Sequence, residues 1–161
     1  MKPLLRYVGA LMLGASVTLA AHAADTADTD GLFRLNELLS TDAEFRDTWQ
    51  QLLEDEERLP EWVTNLSGQA EPMKVLMEDG DKYLVGPLCD PAQCFQQRLY
   101  VAFGWDDKDV QRAYALWVQV PKGLPADKSP SRHATYRWLG EPDEGMQALL
   151  KEQLKADPNW Y

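Results

Sequence analysis

The spacing of apolar residues changes once along this chain, and the change separates a helical part from an extended part. Phe45, Trp49, Leu52, Leu53 and Leu59 recur at helical intervals, which predicts a helix over residues 42–58. Thr41-Asp42-Ala43-Glu44 reads as a capping box at its start, and Pro60 stops it. Just before it, Leu32, Phe33, Leu35, Leu38 and Leu39 make a short apolar segment suited to a helical turn. The run Glu54-Asp55-Glu56-Glu57 reads as a solvated helix face. From Trp62 the apolar period falls to two, the signature of strands.

Residues 73–77 and 83–85 flank Glu78-Asp79-Gly80-Asp81, and Asp-Gly supplies the positive φ of a tight hairpin turn. Residues 98–103 and 113–120 are the two strongest strands. Their acidic connection, Gly104 to Asp109, is too short for a parallel crossover, so they pair antiparallel. The stretch 73–120 is therefore read as four antiparallel strands. Residues 121–131 hold three prolines and read as a loop, and 133–139 as a fifth strand. Met146, Leu149, Leu150 and Leu154 place a second helix over 143–155, and the aromatic end Pro158-Asn159-Trp160-Tyr161 is expected to dock. Hairpins flanked by helices, without βαβ alternation, predict an α+β single domain. Its antiparallel sheet has about five strands, with helices packed on it.

The first 23 residues read as an address. Lys2 and Arg6 form a positive region, an apolar stretch follows to Ala21, and Ala21-His22-Ala23 is an A-x-A site. A signal peptide over 1–23, cleaved before Ala24, and a periplasmic or secreted domain over 24–161 are expected. A membrane helix needs about 20 predominantly apolar residues, and this stretch is shorter. No cysteine lies near the cleavage point, so a lipid anchor is not indicated, and no later stretch is apolar enough to suggest a membrane anchor.

Composition narrows the function. With 45% hydrophobic and 26% charged residues the chain has the balance of a globular protein rather than a disordered one. Its net charge is −10, and loss of Lys2 and Arg6 with the leader takes it to −12. Nucleic acid is a poor partner for such a surface, whereas a basic protein would be attracted from a distance.

Chemistry-bearing residues are few. His133 would be the one histidine left after cleavage, beside Arg132 and without a Ser or Cys motif, and it reads as an ordinary strand or loop residue. Glycine-rich phosphate loops, nucleophile elbows and zinc-helix motifs are missing. Glu54, Glu57, Asp106 and Asp107 could each be nominated for a glycosidase pair, but an acidic chain offers such pairs everywhere. Six tryptophans could build a sugar platform, yet Trp49 and Trp117 lie among apolar residues and read as core. Two cysteines and one histidine do not make a zinc site, so no metal or cofactor is expected.

Cys89 and Cys94 are the only cysteines, and in an exported chain they are expected to form a disulfide. The spacing is C-x₄-C, not the C-x-x-C of redox enzymes. So short a loop gains about 2 kcal/mol of chain-entropy stabilisation, a modest return. Its larger effect is to stiffen Asp90-Pro91-Ala92-Gln93, and a preformed loop loses less entropy on binding. A stapled strand connection without a partner is the competing reading.

These segments together resemble the inhibitor of vertebrate lysozyme (Ivy) family. Leu59-Pro60-Glu61-Trp62-Val63 is similar to the L-P-x-W-V that follows the family's first helix. Tyr83, the Cys89-to-Cys94 loop and Arg98-Leu99-Tyr100-Val101 then come in the family's order. The resemblance runs over roughly 32–161 and is clearest over 59–104. It implies a periplasmic α+β protein, often a homodimer, that inserts the loop into the active-site cleft of c-type lysozyme. The partner-binding residues would be Cys89, Asp90, Pro91, Ala92, Gln93 and Cys94.

The loop departs from the family pattern. The family's C-K-P-H-D-C carries a His that reaches the catalytic carboxylates of lysozyme. Here the loop reads C-D-P-A-Q-C, with Ala92 at the His position, Asp90 for Lys and Gln93 for Asp. Alanine has no side-chain donor, and Asp90 brings a negative group toward an acidic cleft. Two function classes follow. One is a non-enzymatic binder of a basic protein such as c-type lysozyme or a lytic transglycosylase, with a non-inhibitory paralogue of another target as its variant. The other is a cell-wall sugar-binding module or enzyme on the same scaffold.

Overall fold

The computed structural model describes residues 33–106, 109–125 and 128–160. The expected leader and its cleavage site lie outside these residues, as do Asp107 and Tyr161.

The strands form one fully antiparallel sheet. A two-residue strand β1 (Gln69–Ala70) and β2 (Lys74–Glu78) both pair with the outer side of β3 (Asp81–Cys89). The order continues through β4 (Gln97–Trp105) and β5 (Val110–Gln119) to β6 (Thr135–Leu139). The α+β single domain and the four antiparallel strands over 73–120 are as the apolar pattern predicts, with β1 as a sixth strand. Asp79 at φ 49° and Gly80 at φ 87° turn the β2–β3 hairpin, the two positive φ values of a type I′ turn.

Alternation along the central strands sends side chains to two separate cores. Leu84, Leu88, Leu99, Val101, Phe103, Ala115 and Trp117 point to one face. Helices α1 (Leu35–Thr41), α2 (Ala43–Leu53) and α3 (Glu61–Thr64) cover it with Leu35, Leu38, Phe45, Trp49 and Val63. Trp49 is fully buried, its ring edge-on to Phe103, and its Nε1 donates to the Thr64 carbonyl at 3.1 Å. The opposite face sets Tyr83, Val85, Tyr100, Ala102, Leu116 and Val118 against Met146, Leu150 and Leu154 of α5 (Glu144–Lys155). Asp143 caps α5 by accepting from Met146 N at 2.9 Å. After α5 the chain docks as expected, with Trp160 edge-on to Tyr136.

Five local expectations are corrected. The predicted 42–58 helix ends at Leu53. Its last turn holds no basic residue and runs into four carboxylates, which the negative end of the helix dipole disfavours. Glu56 leaves the solvated run to accept from Arg137 on β6 at 2.6 Å. The capping box does not form, because α1 extends to Thr41, whose hydroxyl bonds back to the Glu37 carbonyl. Asp42 caps α2 instead, accepting from Glu44 N at 2.9 Å. Trp62 lies not in extended chain but in α3, which Pro60 opens from the N-cap position. His133 closes a one-turn helix, α4 (Pro130–His133), so β6 starts at Thr135. Pro130 at the first helical position explains that turn, since its fixed φ suits a helix start.

Candidate functional site

The disulfide loop leaves the sheet at the end of β3 and re-enters it at the start of β4. Cys89 is the last residue of β3 and buried, whereas Cys94 is exposed, and the two are bonded with Cα atoms 4.8 Å apart. Gly68 lies against the loop's base, where an added Cβ would collide with the Cys89 carbonyl oxygen.

Backbone and side-chain bonds brace the loop from within. Asp90 N donates to Gln97 O at 3.1 Å, and Gln93 N to Asp90 O at 3.0 Å. The Asp90 carboxylate accepts from Ala92 N at 2.9 Å through Oδ1 and from Gln93 Nε2 at 3.2 Å through Oδ2. The first of these is an Asx-type turn, which a short acceptor side chain makes with its own backbone. Gln93 therefore uses one of its two amide N–H donors inside the loop, while its Oε1 is buried without a hydrogen-bond partner. Pro91 and Ala92 stand exposed.

Two residues at the start of β4 fasten the loop to opposite faces of the sheet. Gln97 Oε1 accepts from Trp117 Nε1 at 3.0 Å on the α1–α3 side. Arg98, only 8% exposed, points to the α5 side. Its Nε donates to the Cys94 carbonyl at 3.3 Å, and its Nη1 pairs with Asp157 just after α5. Asp157 in turn accepts from Asn159 N at 2.8 Å. Beside this pair lies a cleft of about 280 Å³, lined among others by Lys74, Cys89, Cys94, Arg98, Tyr100 and Asp157.

Tyr100, 3% exposed, lies in this cluster. Burial pushes its phenol up from the ordinary 10.0 to about 12, and the nearby Asp157 charge adds to the shift while Arg98 opposes it. The folded protein thus holds this proton where the unfolded chain releases it. The stabilising contribution is complete below pH 10 and is lost as the pH rises through about 12. Thermal melts across that range are expected to fall more steeply for the unmodified protein than for Tyr100→Phe. Parallel curves would show that Tyr100 does not govern the alkaline limb.

Among the described residues, the other nominated ones do not converge on a reaction centre. Glu54 and Glu57 are exposed beyond α2. Asp106 Oδ1 accepts from Asp109 N at 3.1 Å and shapes the β4–β5 turn. His133 Nδ1 lies 2.9 Å from the carbonyl of Ser129, the N-cap of its own short helix. Trp49 and Trp117 are core residues, as their apolar neighbours imply. The amino-acid sequence pointed to no site role for Gln97, Phe95 and Asp157, and it offered Arg98 only as part of a strand. Arg98 did carry a signal: it shares a strand face with Tyr100 and Ala102, where a charge demands a partner.

The fold and the loop have counterparts in known proteins. The family model described as inhibitor of vertebrate lysozyme (Ivy) matches residues 44–156. A Pseudomonas aeruginosa protein named inhibitor of vertebrate lysozyme is 40% identical over 129 residues, covering 79% of this chain and 81% of its own. An uncharacterized Pseudomonas aeruginosa protein is 59% identical over 154 residues, 96% of each chain. An uncharacterized Yersinia pestis protein is 37% identical over 116 residues, 72% of this chain and 73% of its own. With a family match across both helical layers and the whole central sheet, this chain belongs to the inhibitor of vertebrate lysozyme family.

Proposed function

We propose that this chain is a periplasmic, non-enzymatic binding protein whose Cys89–Cys94 loop engages c-type lysozyme or a related muramidase such as a lytic transglycosylase. The observation that carries this reading is the loop itself: disulfide-closed, internally bonded and anchored on both faces of the sheet. A loop so restrained loses little conformational entropy when it enters a cleft. Family membership supports the class of partner, and the acidic chain supports a basic one. The leader over 1–23 supports export, and among the described residues no helix is long and apolar enough to cross a membrane.

One observation favours weak inhibition, or another target, over strong inhibition of c-type lysozyme. A cleft with two carboxyl groups needs donors. Ala92 has none, and Asp90 takes one of the two N–H donors of the Gln93 amide. Encounter is favoured by charge, but the loop offers few donors for the buried polar contacts that slow dissociation.

Affinity and inhibition measured on c-type lysozyme and a soluble lytic transglycosylase at two salt concentrations test this. Binding that weakens with salt, is lost on disulfide reduction and inhibits c-type lysozyme poorly is expected. Nanomolar, salt-insensitive lysozyme inhibition would show that the loop residues do not control the activity. Binding to isolated peptidoglycan, with none to either enzyme, would favour the sugar-binding module instead.

A further inference from the structure

Three large apolar side chains among the described residues are well exposed: Met77 at 57%, Phe95 at 43% and Tyr136 at 43%. Tyr136 serves the fold, its hydroxyl donating to Ser131 O at 3.0 Å and its ring meeting Trp160. Met77 lies on the outer strand β2. Phe95 directly follows Cys94 and so belongs to the loop surface.

Its ring rests on a prepared support. The Arg98 guanidinium lies 5.7 Å from the ring centroid, within range of a cation–π contact. That guanidinium is itself immobilised by the Cys94 carbonyl and by Asp157. A ring held this way offers contact area at little entropic cost, the quality that makes aromatic residues interface anchors. Its neighbours Pro91, Ala92 and Cys94 are exposed as well, while Asp90 and Gln93 turn their polar groups on each other. The loop tip is therefore apolar and aromatic where the family pattern is charged.

We infer that Phe95 is the anchor by which this loop holds its partner, seated in an apolar pocket on a basic protein surface. The basic rim follows from the chain's net charge of −10 and the Asp90 carboxylate beside the tip. The inference rests on the loop being the binding element. Apolar anchoring also separates two contributions. Long-range charge sets the salt dependence, while the ring sets the dissociation rate.

The test measures binding of c-type lysozyme and a soluble lytic transglycosylase to the unmodified protein, Phe95→Ala, Phe95→Leu and Pro91→Gly, each at low and high salt. Phe95→Ala is expected to weaken binding about 30-fold, as truncation of an aromatic hot spot does, through faster dissociation and with an unchanged salt slope. Phe95→Leu is expected to keep most of the affinity, and both Phe95 variants to unfold at the same urea concentration as the unmodified protein. Unchanged affinity in Phe95→Ala, with loss in Pro91→Gly, would overturn the anchor and leave the loop reading standing. Equal loss in both Phe95 variants with a lowered unfolding midpoint would make the ring a prop of the loop and overturn the anchor. Failure of both enzymes to bind the unmodified protein would overturn the loop reading and the anchor with it.

Discussion

Replacing Asp90 with Lys and Ala92 with His together is expected to strengthen inhibition of c-type lysozyme by a factor of a hundred or more. The two changes restore a donor at the tip and remove an opposing charge. Truncating one partner of a buried charged hydrogen bond costs about 2–5 kcal/mol, and each 1.4 kcal/mol is tenfold in affinity. The loop tolerates the exchange at position 90 because residue 93 is its direct neighbour, with 3.2 Å between Asp90 Oδ2 and Gln93 Nε2. The buried Gln93 Oε1 has no partner, so a rotated amide offers a lysine an acceptor. Adding Gln93→Asp recreates the family's Lys–Asp combination at these touching positions and is expected to give the strongest inhibitor of the series. The cost falls on the backbone, since Ala92 N loses its 2.9 Å acceptor on Asp90. Inhibition constants for the single, double and triple replacements check this. No gain in any of them would mean that the loop does not enter the cleft in the family's manner.

The second large effect is expected at Arg98. Arg98→Met keeps the volume of the side chain but removes the cation from a buried pair. The side chains of Arg98 and Asp157 are 9% and 22% exposed, so the remaining carboxylate cannot recover its full hydration. Breaking such a pair from one side costs on the order of 3 kcal/mol. The loss is also local, because the Cys94 carbonyl gives up its Nε donor at 3.3 Å and Phe95 its support. Urea unfolding of Arg98→Met, Asp157→Leu and the double variant measures it. The double variant should recover most of the stability, because an apolar pair needs no compensation. It should not recover binding, since the loop exit remains loose. A loss under about 1 kcal/mol in Arg98→Met would mean that water screens the pair like a surface salt bridge.

The proposed binding loop and a stabilising ion pair thus meet in one small region, and the chain revealed its parts unequally. The hairpin at Asp79-Gly80, the strands around residues 98–103 and 113–120, and the closing helix were all legible. Each depends on local rules: turn φ, alternation and helical spacing. The disulfide was legible because Cys89 and Cys94 are the only cysteines of the sequence, in a chain whose first residues read as an export address. The corrected boundaries are places where a distant contact or a neighbouring element decides. Helix α2 ends at Leu53, where Glu56 turns to Arg137, 81 residues further on. Thr41 loses its capping role because the preceding segment is itself a helix.

By itself, then, the amino-acid sequence determined the fold class, the sheet's antiparallel sense and the identity of the loop. These follow from periodicity and from two cysteines, which are properties of neighbours in the chain. Only the tertiary structure decided how the loop is held and what it offers. Asp157 meets Arg98 across 59 residues and Trp117 meets Gln97 across 20, pairings no local pattern encodes. The same holds for the turning of Asp90 and Gln93 on each other. Their residue types announce polarity, but a carboxylate that accepts two bonds within its own loop leaves an apolar tip, with Phe95 as its largest exposed group.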